Sequence, residues 1–154
     1  MSDFAKRIAG EIKQADALRQ EDRDKRDVEN AAFVQREILK KRLAPDLWSS
    51  FRDKISRKCE EVNKELGKDH YRVHDELPDK LRVIKLSPIA NLHMEFFADG
   101  SRIHFEAGSC VGDYLVQIDS DTGQAILSDA YQRVFDLEST AENLIGECLE
   151  KAMF

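Results

Sequence analysis

Residues 92–107 read LHMEFFADGSRIHFEA, with apolar and polar side chains alternating on both sides of Asp99-Gly100. Alternation with a period of two is typical of a strand with one buried face, and Asp-Gly is a preferred two-residue hairpin turn. Such a turn fixes the pairing, so that Glu95 lies opposite His104 and His93 lies opposite Glu106. The apolar face of the predicted hairpin then consists of Leu92, Met94, Phe96, Ile103, Phe105 and Ala107.

Strand patterns continue on both sides of this hairpin. The further predicted strands are Tyr71–Glu76, Leu81–Leu86, Tyr114–Asp119 and Gln124–Leu127, with a weaker one at Gln132–Asp136. The links between them are short and contain turn residues such as Pro78-Asp79 and Ser87-Pro88. Short links join antiparallel neighbours, so we expect a β-meander of about five to seven strands.

Helical patterns flank the strands. An apolar stripe at spacings of three and four predicts a long first helix that ends near Leu43; its members are Phe4, Ile8, Ile12, Ala15 and Leu18. Pro45 predicts the start of a second helix, which Gly67 ends. Ser139 and Glu142 form a capping-box pattern before a C-terminal helix packed on the sheet. The fold class is therefore α+β, with a helical arm at residues 1–43 and an α+β domain at residues 44–154.

Length and composition are those of one globular domain without a membrane span. The chain has 154 residues, of which 42% are hydrophobic and 35% charged. No apolar run exceeds four residues, so we expect no membrane helix. The N-terminal residues lack the apolar region of a secretory signal, and three scattered cysteines suit neither a disulfide framework nor a zinc site. These features predict a cytoplasmic protein with free thiols.

The charge is unevenly distributed. Residues 1–68 carry 17 Lys and Arg against 14 Asp and Glu, whereas the remaining residues carry 7 against 16. Basic residues are densest in the segment 36–58. Nucleic-acid binding through this segment is one interpretation, but the acidic chain and the lack of a binding motif favour a solvated helix face.

Two histidines and two carboxylates share the polar face of the hairpin. His93, Glu95, His104 and Glu106 form two cross-strand pairs in the predicted register. Such a cluster is suited to a metal ion or to general-base chemistry in a hydrolase-like enzyme. The simpler interpretation is a solvated sheet face with matched charges. We therefore expect that the protein binds no cofactor, and we favour a non-catalytic protein over an enzyme.

Cys110 lies in a glycine-rich stretch, Gly108-Ser-Cys-Val-Gly112. This stretch resembles a nucleophile elbow in its spacing, but a helix has to follow such an elbow and here a strand pattern follows. We expect a loop between strands, with Cys110 as the candidate exposed and reactive thiol.

The first helix is the strongest indication of function. No apolar residue occurs between Arg19 and Asp27, so the stripe from Phe4 to Leu18 is separated from the rest of the helix. A helix from residue 3 to residue 43 would be about 60 Å long, longer than a compact domain of this size is wide. The sequence therefore predicts a non-catalytic interaction module that binds a second copy or another protein through its N-terminal helix. The alternative is a stripe that folds back onto the core.

Overall fold

The computed structural model describes residues 2–152 and has the predicted α+β class. A long helix is followed by a seven-stranded antiparallel sheet and a helical C-terminal segment. The elements are α1 (Asp3–Leu66), β1 (Tyr71–His74), β2 (Lys80–Leu86), β3 (Ile89–Phe96), β4 (Arg102–Ala107), β5 (Cys110–Ile118), β6 (Ala125–Ser128), β7 (Val134–Phe135), α2 (Leu137–Asn143) and a π-helical segment (Leu144–Leu149). Within residues 2–152, no helix has the length and apolar content that a membrane span requires.

Helix α1 continues through Pro45, so the predicted boundary between a first and a second helix is wrong. Proline has no N–H, and the carbonyl of Lys41 therefore lacks its usual helical donor. Ala44 and Trp48, on either side of the proline, are both buried in the core. Their packing outweighs a proline penalty of about 3 kcal/mol in a helix interior.

The chain divides into two compact units, Met1–Ile38 and Leu39–Phe154. The described part of the first unit is Ser2 and the N-terminal portion of α1; we call the helical residues 3–38 the arm. The second unit, which we call the body, contains the remainder of α1, the sheet and the C-terminal helical segments. The sequence had placed this division after residue 43.

The sheet is a meander in which every strand pairs with its neighbours in sequence, in the order β1 to β7. The predicted hairpin register is confirmed, with His93 opposite Glu106 and Glu95 opposite His104. Gly100 in its turn has a φ of +73°, a conformation that glycine adopts without strain. A Cβ at Gly100 would lie 3.2 Å from that of Ala44, so this turn packs closely against α1.

The core lies on one face of the sheet. The body portion of α1 and the C-terminal segment both contribute to it, together with the inward side chains of the strands. Its largest fully buried apolar members are Phe51, Ile55, Leu81, Leu92, Ile103, Leu127, Leu144 and Leu149. The opposite face, which we call the open face, carries exposed polar residues such as Arg82, His93 and Glu106.

The cap of the C-terminal helix differs from the prediction. Asp136 is the N-cap of α2, and its side chain accepts a hydrogen bond from the Ser139 N–H at 2.9 Å. The predicted Ser139 cap is therefore wrong, because the N-cap lies three residues earlier at Asp136, which is an equally favoured N-cap residue. Lys58 of α1 reaches Glu138 at 2.9 Å and Glu142 at 3.1 Å, which ties the two helices together.

Cys110 is joined to Cys148 by a disulfide, so the expectation of an exposed reactive thiol at Cys110 is corrected. The two residues are 38 positions apart in sequence, so their proximity could not be predicted from the local sequence pattern. The first residue of β5 and the π-helical segment meet at a Cα–Cα distance of 5.7 Å, within the range of disulfides. Cys59 is a free and buried cysteine.

Candidate functional site

The open face brings the four predicted hairpin residues into one groove. His93, Glu95, His104 and Glu106 line a cavity of about 560 Å³. Residues of β1, β2 and their connecting loop add to the lining, namely His74, Glu76, Leu77, Lys80, Leu81 and Arg82, and Met94 of β3 also borders it. Cavities of this volume are typical of small-molecule sites.

Helix α1 holds one wall of this groove in place. Trp48 donates its Nε1–H to the carbonyl of Pro78 at 2.8 Å. Arg52 donates to the carbonyls of Pro78 and Asp75 at 2.7 and 2.9 Å. The loop between β1 and β2, which supplies Glu76 and Leu77 to the groove, is therefore fixed at both ends by one turn of helix.

Both ring nitrogens of His104 are hydrogen-bonded to carboxylates. Its Nδ1 lies 2.8 Å from Asp113 and its Nε2 lies 3.0 Å from Glu106. These hydrogen bonds, first with Glu106 and then with Asp113, raise the pKa of His104 above its ordinary value despite partial burial. With a carboxylate at each nitrogen, the ring is favoured in its charged form, in which both nitrogens donate.

The metal alternative gains no support from this geometry. A histidine binds a metal through an unprotonated nitrogen, and both nitrogens of His104 already face carboxylates. Among residues 2–152, no group of three or more histidine, cysteine or acidic side chains is arranged to hold a metal ion. Because both ring nitrogens are hydrogen-bonded to carboxylates, His104 is also poorly suited to accept a proton as a general base.

Four other groove residues have no partner. In the part of the chain that the structure describes, the side chains of Lys80, Arg82, His93 and Glu95 make no hydrogen bond and no ion pair. They form two adjacent cross-strand pairs, because Arg82 lies opposite His93 and Lys80 lies opposite Glu95. The groove therefore presents unmatched charges of both signs.

The arm exposes the second set of predicted residues. Phe4, Ile12 and Leu18 are 65%, 56% and 59% exposed, and Ile8 and Ala15 are only partly covered. The later part of the arm exposes further apolar side chains, namely Val28, Phe33, Val34 and Ile38. Within the described part of the chain, the arm therefore exposes apolar side chains that are not packed against other residues.

A polar cluster at the end of the C-terminal segment was not predicted. Lys85 is only 1% exposed and donates from Nζ to the carbonyl of Glu150 at 2.8 Å. The Tyr71 hydroxyl and His70 Nε2 both contact the Glu150 carboxylate. Burial, followed by the hydrogen bond with Glu150, raises the pKa of Tyr71. Partial burial acts to raise the pKa of Glu150, but the bonds with Tyr71 and His70 outweigh it and the pKa lies below its ordinary value. This cluster anchors the C-terminal segment.

The basic segment 36–58 is partly used within the fold. Arg52 binds two loop carbonyls, Lys58 binds two glutamates of α2, and Arg57 lies 3.6 Å from Asp53. The carboxylates offset the charges of Lys58 and Arg57, and the guanidinium of Arg52 is held by two loop carbonyls, so these three cations are less available to a phosphate backbone. The geometry therefore adds nothing to the nucleic-acid interpretation.

The chain matches no protein-family model, and comparisons with curated proteins and with solved structures give no match. Its function is accordingly argued from the arm and from the groove.

Proposed function

We propose that the protein is a non-catalytic self-association module whose arm pairs with the arm of a second copy. The single observation that carries this proposal is the full or partial exposure of the stripe Phe4, Ile8, Ile12, Ala15 and Leu18 on a helix that has no packed neighbour among the described residues of its own unit. An amphipathic helix is stabilised mainly by packing of its apolar face. A partner for that face supplies the packing.

Local interactions within the arm are too weak to replace such a partner. Arg19 lies 3.4 Å from Asp16, and Gln20 donates to Asp24 at 2.9 Å. Pairs of this kind contribute about 0.2–0.5 kcal/mol each to an isolated helix. Burial of one exposed Leu, Ile or Phe side chain contributes about 1.5–3 kcal/mol. Burial of the stripe therefore offers several times the stabilisation that these local pairs provide.

The charge of the arm favours a second copy over a highly charged partner. Residues 1–38 carry 8 Lys and Arg against 9 Asp and Glu. Because the net charge of each arm is small, two arms repel each other little, and each offers charges of both signs to the other. A strongly acidic or basic partner would gain little net attraction from this nearly neutral helix.

The test is the solution mass of the full-length protein by size exclusion with light scattering. A single chain has a mass of 17.7 kDa, and we expect a multiple of that value. The double variant Ile12→Asp/Leu18→Asp places a charge at two stripe positions and is expected to run as a monomer. The control Gln14→Asp/Gln35→Asp adds the same charge to exposed polar positions of the arm and should keep the wild-type mass.

A monomeric wild type at high protein concentration would contradict self-association. So would an unchanged mass for the Ile12→Asp/Leu18→Asp variant, since the stripe would then not be the interface. Circular dichroism of both variants shows whether the body remains folded, which separates loss of the interface from loss of the fold.

A cytoplasmic location is part of the same proposal, and the Cys110–Cys148 disulfide of the structure is the observation that opposes it. Cytosolic reductants keep most protein thiols reduced. Rapid alkylation of thiols in intact cells, followed by mass analysis, should therefore find both cysteines reduced. A fully oxidised pair in living cells would contradict the cytoplasm as the compartment.

A further inference from the structure

Among the residues that the structure describes, the groove on the open face combines unpaired cations and an unpaired anion on two neighbouring strands. Arg82 and His93 lie opposite each other on β2 and β3, and Lys80 and Glu95 form the next pair on the same face. The neighbouring His104 has its partners already, in Glu106 and Asp113. The unmatched groups are thus confined to the part of the groove between β2 and β3.

The mixture of charges restricts the class of ligand. Glu76, Glu95 and Glu106 all line the groove, and three carboxylates disfavour a phosphate-rich ligand. Lys80 and Arg82 disfavour a simple cation in the same way. A ligand that carries one positive and one negative group can satisfy both signs at once. Leu77, which is also part of the lining, offers an apolar contact at the rim.

The spacing of the unpaired groups sets the size of that ligand. His93 and Glu95 are two residues apart on one strand, a distance of about 6.6–6.8 Å. Two extended residues of a peptide span about 6.6–7.2 Å. A dipeptide therefore places its terminal carboxylate beside Arg82 and His93 when its terminal ammonium is beside Glu95.

We propose that this groove binds short peptides with free termini, dipeptides above all, with the carboxylate held by Arg82 and His93 and the ammonium held by Glu95. Arg82 presents a planar pair of N–H donors that matches a carboxylate. His93 donates one further hydrogen bond in either of its protonation states. Lys80 lies opposite Glu95, but no ion pair joins the two side chains in the part of the chain that the structure describes, so the Glu95 carboxylate is available to the ammonium.

Isothermal titration of the full-length protein with dialanine, at neutral pH and low salt, tests the proposal. We expect saturable binding of one dialanine per chain at concentrations up to about 10 mM. Two analogues dissect the termini: dialanine amide lacks the carboxylate, and N-acetyl-dialanine lacks the ammonium. Each analogue should bind at least about tenfold more weakly than dialanine.

Two variants connect these losses to named residues. Arg82→Gln should weaken dialanine at least about tenfold while leaving dialanine amide unchanged. Glu95→Gln should weaken dialanine by a similar factor while leaving N-acetyl-dialanine unchanged. The matched controls are Arg72→Gln, an exposed position of β1 outside the groove lining, and Glu65→Gln on α1. Both controls should bind dialanine as the wild type does.

Absence of saturable dialanine binding overturns the proposal. It is equally overturned if Arg82→Gln weakens dialanine and its amide by the same factor, because the guanidinium would then not contact the carboxylate. Neither result depends on the arm, so this test and that of self-association fail independently.

Discussion

Reduction of the Cys110–Cys148 disulfide is expected to lower the free energy of unfolding of the body by about 4 kcal/mol. The bond closes a loop of 38 residues. In the chain-entropy account, such a crosslink removes about 13 cal/mol/K from the unfolded ensemble, which corresponds to about 4 kcal/mol at 25 °C. The folded state keeps its other anchors of the C-terminal segment, among them the contact of Lys85 with the Glu150 carbonyl. Reduction should therefore destabilise the body without unfolding it.

Urea denaturation with and without a phosphine reductant measures this difference. The oxidised protein should unfold at a higher urea concentration and with a smaller slope, because its unfolded chain exposes less surface. Cys110→Ser is the matched control, since Cys110 is half-buried whereas Cys148 lies in the core. Its midpoint should equal that of the reduced wild type and should not respond to reductant. Three free thiols after air oxidation of the purified protein would refute the reasoning, as would an unchanged midpoint on reduction of a verified disulfide.

Three further outcomes follow from the structure. Deletion of residues 2–30 should leave the thermal unfolding of the body unchanged in calorimetry, because the core lies in the other unit; an unfolded product would place the stripe in the core. Lys85→Met keeps the buried volume but leaves the Glu150 carbonyl without its donor, so urea unfolding should show a loss of about 1–3 kcal/mol; no loss would mean that water replaces the donor. The raised pKa of His104 stabilises the folded state below pH about 6.5, and this contribution disappears as the pH rises through the folded pKa. An NMR titration of the ring should therefore give a pKa above the ordinary value, which Asp113→Asn lowers; an unchanged value would contradict the assigned cause.

The hairpin and the meander could be predicted because their determinants are local. The Asp99-Gly100 turn sets the register of β3 and β4, and short links leave no alternative to pairing between consecutive strands. The features that were missed depend on distant residues. Pro45 remains helical because Ala44 and Trp48 are held in the core. The Cys110–Cys148 bond requires knowledge of where the C-terminal segment crosses the sheet.

The sequence predicted where the candidate site lies but not which side chains in it form hydrogen bonds with each other. The hairpin register placed His104 opposite Glu95, yet the ring of His104 binds Asp113 and Glu106 instead. Asp113 was missed because residues 108–112 have the glycines of a loop, whereas β5 begins at Cys110 and places Asp113 opposite His104 on the other side. Strand β5 thus supplies the carboxylate of Asp113, and His104 bonds this carboxylate rather than that of Glu95. This exchange leaves Glu95 unpaired, next to an unpaired His93 and Arg82. The groove therefore keeps charges available to a ligand because β5 extends further than its sequence pattern predicts.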